Sequence, residues 1–134
     1  MGLDATLRYP KSRLDKLGVK PGIWVAVAGL DDAGFLAELR ERTDRVTMDR
    51  VPKGADLVFL FMDKTSDLPK LARAREAIVS NGAVWAVWPK GRKEFREDDV
   101  RAFGLTAGLV DVKVVAFAET LSALKLVIRV RDRR

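Results

Sequence analysis

The sequence predicts an α/β protein, a three-layer α/β/α sandwich whose mainly parallel sheet closes on a C-terminal antiparallel hairpin. Three observations predict it. Residues 23–27, 57–61 and 83–88 are uninterrupted apolar runs, and a run without polar alternation marks a strand covered on both faces. Segments of helical character separate these runs, as a parallel sheet with crossover connections requires. The last two β-rich stretches, 110–117 and 124–130, are too close together for a crossover helix, so they pair as a hairpin.

Each element has its own local reason. Residues 10–17 form a short helix, with Leu14 and Leu17 on one side and Gly18 free to close the last turn in a left-handed conformation. Lys20-Pro21-Gly22 then turns the chain into the first apolar run. After Gly29, Asp31 or Asp32 caps a helix that reaches about Arg42 and buries Phe35, Leu36 and Leu39. Residues 46–51 make a weaker strand, and Asp49, Arg50, Pro52 and Lys53 suit the edge of a sheet. The run 57–61 leads through Asp63-Lys64-Thr65-Ser66 into a helix over 68–80, ended by Asn81-Gly82. Pro89 breaks the strand 83–88, and 97–107 reads as a helix with Val100, Phe103 and Leu105 as its apolar residues. No repeat or low-complexity tract divides the 134 residues, so one domain is expected over 1–134.

Composition narrows the chemistry. The chain has no histidine and no cysteine, which excludes Cys/His metal sites, a thiol nucleophile, a Ser-His-Asp relay and a histidine base. The formal charge is +6, with the excess concentrated in Arg8, Lys11, Arg13, Lys16 and Lys20 and again in Arg129, Arg131, Arg133 and Arg134. Between those ends acids and bases alternate, as a solvated surface does. The basic tail has no interleaved aromatic residues, so nucleic acid is not the leading partner. No apolar run reaches the roughly 18 residues of a bilayer span, and the first residues lack a signal-peptide core. The expectation is a cytoplasmic protein without a membrane partner.

In open α/β sheets, ligands bind beyond the carboxyl ends of the strands, where strand order reverses. Those ends gather Gly29, Asp31, Asp49, Asp63, Lys64, Trp88 and Lys90, and the hairpin tip is expected to bring Glu119 and Ser122 to the same rim. The segment Gly29-Leu30-Asp31-Asp32-Ala33-Gly34 lacks the glycines of G-x-G-x-x-G, and no Lys-Ser or Lys-Thr follows it as in a P-loop. Its acids would repel a phosphate, and a tight turn at Gly29 followed by a helix cap from Asp31 or Asp32 accounts for the segment without a ligand. Asp49 lies 20 residues after Gly29, the position from which an acid binds ribose hydroxyls, although edge protection also explains it. Asp63 and Lys64 form an ion pair or a proton-transfer pair, or else belong to a capped loop in which Asp67 starts the next helix. Trp85 and Trp88 point to opposite faces. One packs in the core; the other, beside Lys90, either packs too or offers its indole to a planar or anionic ligand. The sequence names neither a catalytic residue, a cofactor nor a metal-ligand set.

A Rossmann-like sheet closed by an antiparallel hairpin is similar to the plan of S-adenosylmethionine-dependent methyltransferases, and this chain resembles a shortened version. There is no room between Asp49 and Leu57 for the additional helix and strand of that plan. Four blocks also resemble a family of small bacterial proteins, a domain of unknown function: Lys16-Leu17-Gly18-Val19-Lys20-Pro21-Gly22, Trp85-Ala86-Val87-Trp88-Pro89-Lys90, Gly108-Leu109-Val110-Asp111-Val112-Lys113 and Glu119-Thr120-Leu121-Ser122-Ala123-Leu124-Lys125. That pattern has a tryptophan and a glycine where this chain has Leu121 and Ala123, and a Lys-Ser-rich loop where it has Gly91-Arg92-Lys93. The resemblance implies the fold and no activity.

The leading reading is a non-catalytic module on a degenerate methyltransferase-like fold that binds a small ligand or a protein partner. The alternative is a small transferase using S-adenosylmethionine or a nucleotide, with Asp49 on the ribose and Asp63 or Lys64 near the reacting atom. Missing histidine does not exclude it, because a buried Asp or Lys can transfer protons. Nucleic-acid binding through the basic termini is the third reading.

Overall fold

The computed structural model describes residues 12–133. The predicted start of the first helix at Pro10, the basic residues Arg8 and Lys11, and the terminal Arg134 lie outside the described residues. The elements in chain order are α1 (Arg13–Lys16), β1 (Val25–Ala28), α2 (Ala33–Arg42), β2 (Val46–Met48), β3 (Leu57–Phe61), a 3₁₀ turn (Thr65–Asp67), α3 (Lys70–Ala77), β4 (Ala83–Pro89), α4 (Glu97–Thr106), β5 (Leu109–Ala118), β6 (Leu121–Ile128) and a last 3₁₀ turn (Val130–Asp132). The strands form one sheet in the order β2-β1-β3-β4-β6-β5. The first four are mutually parallel, while β6 runs antiparallel to β4 and to β5. This is the expected Rossmann-like α/β sandwich with its terminal hairpin.

The uniformly apolar runs are explained by the two layers that cover them. Val25, Val27, Phe59 and Trp85 enter one cluster with Leu14 and Leu17 of the N-terminal segment and Phe35 and Leu39 of α2. Ala26, Val58, Leu60, Val84 and Ala86 enter the other, with Leu71 and Ala74 of α3 and Val100 of α4. Alternate residues of each strand thus leave water on opposite sides, and neither side is polar. Burial of this kind is worth about 25 cal/mol per Å² of apolar surface, so the two clusters hold the helices to the sheet.

Departures from the expected boundaries have local causes. Strand β2 ends at Met48 because Asp49 takes a left-handed conformation, φ 62°, that ends the extended backbone. As expected, β2 is an edge strand. The link from β2 to β3 holds no helix or strand; it crosses the α3 side with Val51 and Ala55 packed into that cluster. Helix α3 is shorter than 68–80, since the Gly54 N–H takes the Ala77 carbonyl at 2.7 Å and Ile78 is already extended. In α4 the inward positions are Val100 and Gly104, with Phe103 and Ala107 packed beside them, which leaves Leu105 48% exposed. Strand β6 begins at Leu121 rather than 124, so the hairpin tip is the pair Glu119 and Thr120, and Ser122 sits within the strand opposite Trp88 and Ala116.

Candidate binding crevice at the carboxyl ends of the strands

Strand order reverses between β1 and β3. The chain leaves β1 toward the β2 edge and returns to build β3 and β4 on the other side, so the connections diverge above the carboxyl ends at this point, the place where open α/β sheets take their ligands. Gly29 stands there with φ 75° and is exposed; a Cβ on it would lie 3.5 Å from Phe61 Cβ and 3.6 Å from the Phe61 carbonyl. Glycine serves two purposes at this position, taking a conformation that L side chains avoid and leaving the ends of β1 and β3 uncovered.

Two hydrogen bonds extend the rim to either side. The Asp49 N–H donates to the Val27 carbonyl at 2.7 Å, which pins the end of β2 against β1 and holds the exposed Asp49 beside Gly29. The Lys90 N–H donates to the Thr120 carbonyl at 2.9 Å, which ties the end of β4 to the hairpin tip. The rim therefore runs Asp49, Gly29, Asp63, Lys90, Glu119 in strand order.

Three sequence-predicted roles change. Asp63 does not pair with Lys64. Its Oδ2 lies 3.9 Å from an Arg92 Nη, and the same guanidinium donates to the Asp63 carbonyl at 3.2 Å, while Lys64 is exposed. Neighbouring residues in an irregular loop point apart, whereas the loop after β4 reaches back to supply the cation. Trp88 is only 4% exposed and lies in the cluster with Met62 and Phe95. Its indole thus has no free face for a ligand, because the α3–α4 layer covers that side of β4 as the opposite layer covers Trp85. Asp67 does not start α3; it closes the 3₁₀ turn, and Pro69 holds the cap position.

The acids of the Gly29 segment divide. Asp32 caps α2, its Oδ1 accepting the Phe35 N–H at 3.0 Å, and its Oδ2 lies 3.8 Å from Arg13. Arg13 also binds Glu38 at 2.7 Å, donates to the Phe117 carbonyl at 3.0 Å and lies over the rings of Phe35 and Phe117. Asp31 is exposed and has no ion pair among the described residues. The segment thus presents one spare carboxylate.

Sequence reasoning missed Arg92 as the partner of Asp63 and gave Asp67, the other residue that shapes the loop after β3, the wrong role. Asp67 is buried, accepts the Asp63 N–H at 3.1 Å and lies 3.2 Å from Lys70. Burial alone would raise its carboxyl, but the Asp63 N–H and the Lys70 ammonium, with Lys64 farther off, outweigh it and hold the group below the usual carboxylate range. Only an aspartate three residues before a lysine at a helix start signals this in the sequence. Because the folded value is lowered, the stabilisation is present above pH 4 or so and is lost as pH falls through the native value. Asp67→Ala is expected to cost about 1–2 kcal/mol near neutral pH and less at the acid end of the range, where protonation removes the charge but leaves an acceptor for the Asp63 N–H. Urea unfolding at both pH values checks it, and a cost independent of pH would contradict this account.

Comparison with known proteins bears on the fold alone. The sequence matches no family model and no curated protein. Among solved structures, it superposes on one assigned as a type 11 methyltransferase from Sulfolobus solfataricus with a TM-score of 0.64, at 12% identity over 90% of this chain and 92% of the other. A S-adenosylmethionine-dependent methyltransferase from Aquifex aeolicus gives 0.64 at 13% identity over 84% and 86%. An O-methyltransferase from neocarzinostatin biosynthesis, solved with S-adenosylmethionine and a naphthoic acid, gives 0.65 at 18% identity; the match covers 87% of this chain and about half, 51%, of that one. The fold is methyltransferase-like. No described helix is long and apolar enough to cross a membrane.

Proposed function

We propose that the crevice between β1 and β3 binds S-adenosylmethionine and that the protein is a small methyltransferase. The observation that carries this reading is the pairing, at the reversal of strand order, of an uncovered left-handed Gly29 with Asp49 fixed by its bond to Val27. The fold favours the transferase alternative over a non-catalytic module, for which the architecture offers no support.

The residues present suit this cofactor better than a nucleotide. Acids at the start of α2 would repel a pyrophosphate, but S-adenosylmethionine carries no phosphate and is cationic at its sulfonium and ammonium. Asp31 is the spare carboxylate for that cationic end, and Asp49 is the acceptor for the ribose hydroxyls. When bound, the cofactor supplies an electrophilic methyl carbon: the acceptor's lone pair forms the new bond, the carbon–sulfur bond breaks, and the acceptor loses a proton to solvent or a base. The protein's task is then to orient two reactants, which needs neither histidine nor cysteine.

The test is titration calorimetry with S-adenosylmethionine and S-adenosylhomocysteine. Asp49→Gly removes the carboxylate while keeping a residue at ease with φ 62°. It is expected to weaken binding about 10–100-fold without lowering the melting temperature. Absence of binding to the wild-type protein at millimolar cofactor, or equal affinity in Asp49→Gly, would reject the reading.

A further inference from the structure

A concavity lies at the opposite end of the sheet, among the residues that precede β1, begin β3 and β4, and end β6. It has a volume of about 320 Å³, and Gly18, Lys20, Asp56, Asn81 and Lys125 are among the residues that line it. One of its two cations is confined. Lys125 sits on β6, between β4 and β5, directly opposite Lys113 on β5. Its ammonium would be 3.9 Å from a Cβ placed on Gly18, so it lies under the turn that carries Lys20. That turn is anchored over the sheet, because the buried Trp85 indole N–H donates to the Leu17 carbonyl at 3.0 Å.

Like charges opposite one another across a strand pair are unfavourable, and an exposed lysine escapes by swinging into water. Lys125 has less freedom, being partly buried in the cleft wall. Burial first, and then the charges of Lys113 and Lys20, push its ammonium below the usual lysine range. None of the three lysines has an ion pair among the described residues. The lining carboxylate, Asp56, has its Oδ2 occupied by the Trp24 N–H at 2.8 Å. The cleft is therefore lined by two lysines and one carboxylate, with no ion pair between them among the described residues, and Lys113 adds positive charge from the neighbouring strand.

We infer that this cleft binds the phosphate group of a small molecule, with Lys125 and Lys20 as its direct partners, Lys113 adding charge from β5 and Asn81 offering its amide. Its size suits a small metabolite, and its concavity favours such a ligand over an extended polyanion. The site is separate from the β1–β3 crevice and stands or falls without it.

The experiment is thermal unfolding with inorganic phosphate and with glycerol phosphate, against chloride at equal ionic strength, for wild type, Lys125→Met, Lys20→Met and Asp49→Gly. Wild type and Asp49→Gly are expected to show a saturable rise, about 3–5 °C at ten times the dissociation constant. Lys125→Met is expected to start from a higher melting temperature without phosphate and to lose the saturable rise. Lys20→Met, at an exposed position, is expected to bind about 10-fold more weakly. An equal, non-saturating rise in all four proteins would mean general salting-out and would overturn the assignment, as would no rise at all. Binding of an oligonucleotide or a phosphatidylserine vesicle that depends on the same lysines, without the rise in inorganic phosphate, would overturn it in favour of a macromolecular surface.

Discussion

Trp85→Ala is expected to destabilise the protein by about 3–5 kcal/mol, a large fraction of the roughly 5–15 kcal/mol by which a typical domain is stable. Trp85 is fully buried at the middle of the sheet, level with Phe59 on β3 and Lys125 on β6. Its ring lies parallel to that of Phe59, with centroids 6.4 Å apart, and Phe59 meets Phe35 edge-on at 5.0 Å, which in turn meets Phe117 at 4.7 Å. Removing the indole opens a cavity at one end of this aromatic row and leaves the Leu17 carbonyl without its donor. Trp85→Phe keeps most of the volume and loses the hydrogen bond, so about 1–2 kcal/mol is expected. Urea unfolding with an unchanged denaturant slope measures both. A cost below about 1 kcal/mol for Trp85→Ala would show that the layer carrying α1 and α2 repacks freely, and the anchored turn above Lys125 would lose its support.

The same residue shows how far the sequence could be read. Spacing alone places Trp85 and Trp88 on opposite faces, and an unbroken apolar strand implies that both faces are covered; together they already make Trp88 a core residue rather than a ligand platform. The strand 57–61 and the hairpin were legible because burial pattern and gap length are local properties. The place of Asp49 at the end of β2 was legible, whereas its left-handed backbone was not. What escaped was every partnership made across the fold. Asp63 finds Arg92 rather than its neighbour, and Lys20, Lys113 and Lys125 meet only because β5 and β6 fold back beside β4. Charges scattered along a chain read as a solvated surface until topology gathers them. The identity of a cofactor escapes for a related reason, since it depends on the shape of a crevice assembled from three strand ends.

Gly82→Ala is expected to be nearly as damaging as Trp85→Ala, at about 3 kcal/mol, although it adds a single methyl group. A Cβ at this position would stand 2.6 Å from the Asp56 carbonyl oxygen, 3.1 Å from that of Val79 and 3.2 Å from Val79 Cγ2. The two closest atoms are backbone, so no flexible side chain can give way. Nor can Asp56 retreat, because its N–H donates to the Trp24 carbonyl at 2.9 Å, its carbonyl accepts the Ala83 N–H at 3.1 Å, and its carboxylate takes the Trp24 N–H. This junction sets β1, β3 and β4 in register, with Val25, Leu57 and Ala83 side by side. A shift at Asp56 would therefore be passed along the strands to the Gly29 crevice, as well as into the lysine cleft that Gly82 lines. Gly34→Ala is the control: in the first turn of α2 its methyl would meet only Asp32 Oδ1 at 3.5 Å, and a gain of about 0.5–1 kcal/mol is expected. Chemical denaturation of both variants, with amide exchange followed at Leu57 and Ala83, makes the comparison. Native stability and unchanged exchange protection in Gly82→Ala would mean that the β3–β4 junction yields without strain.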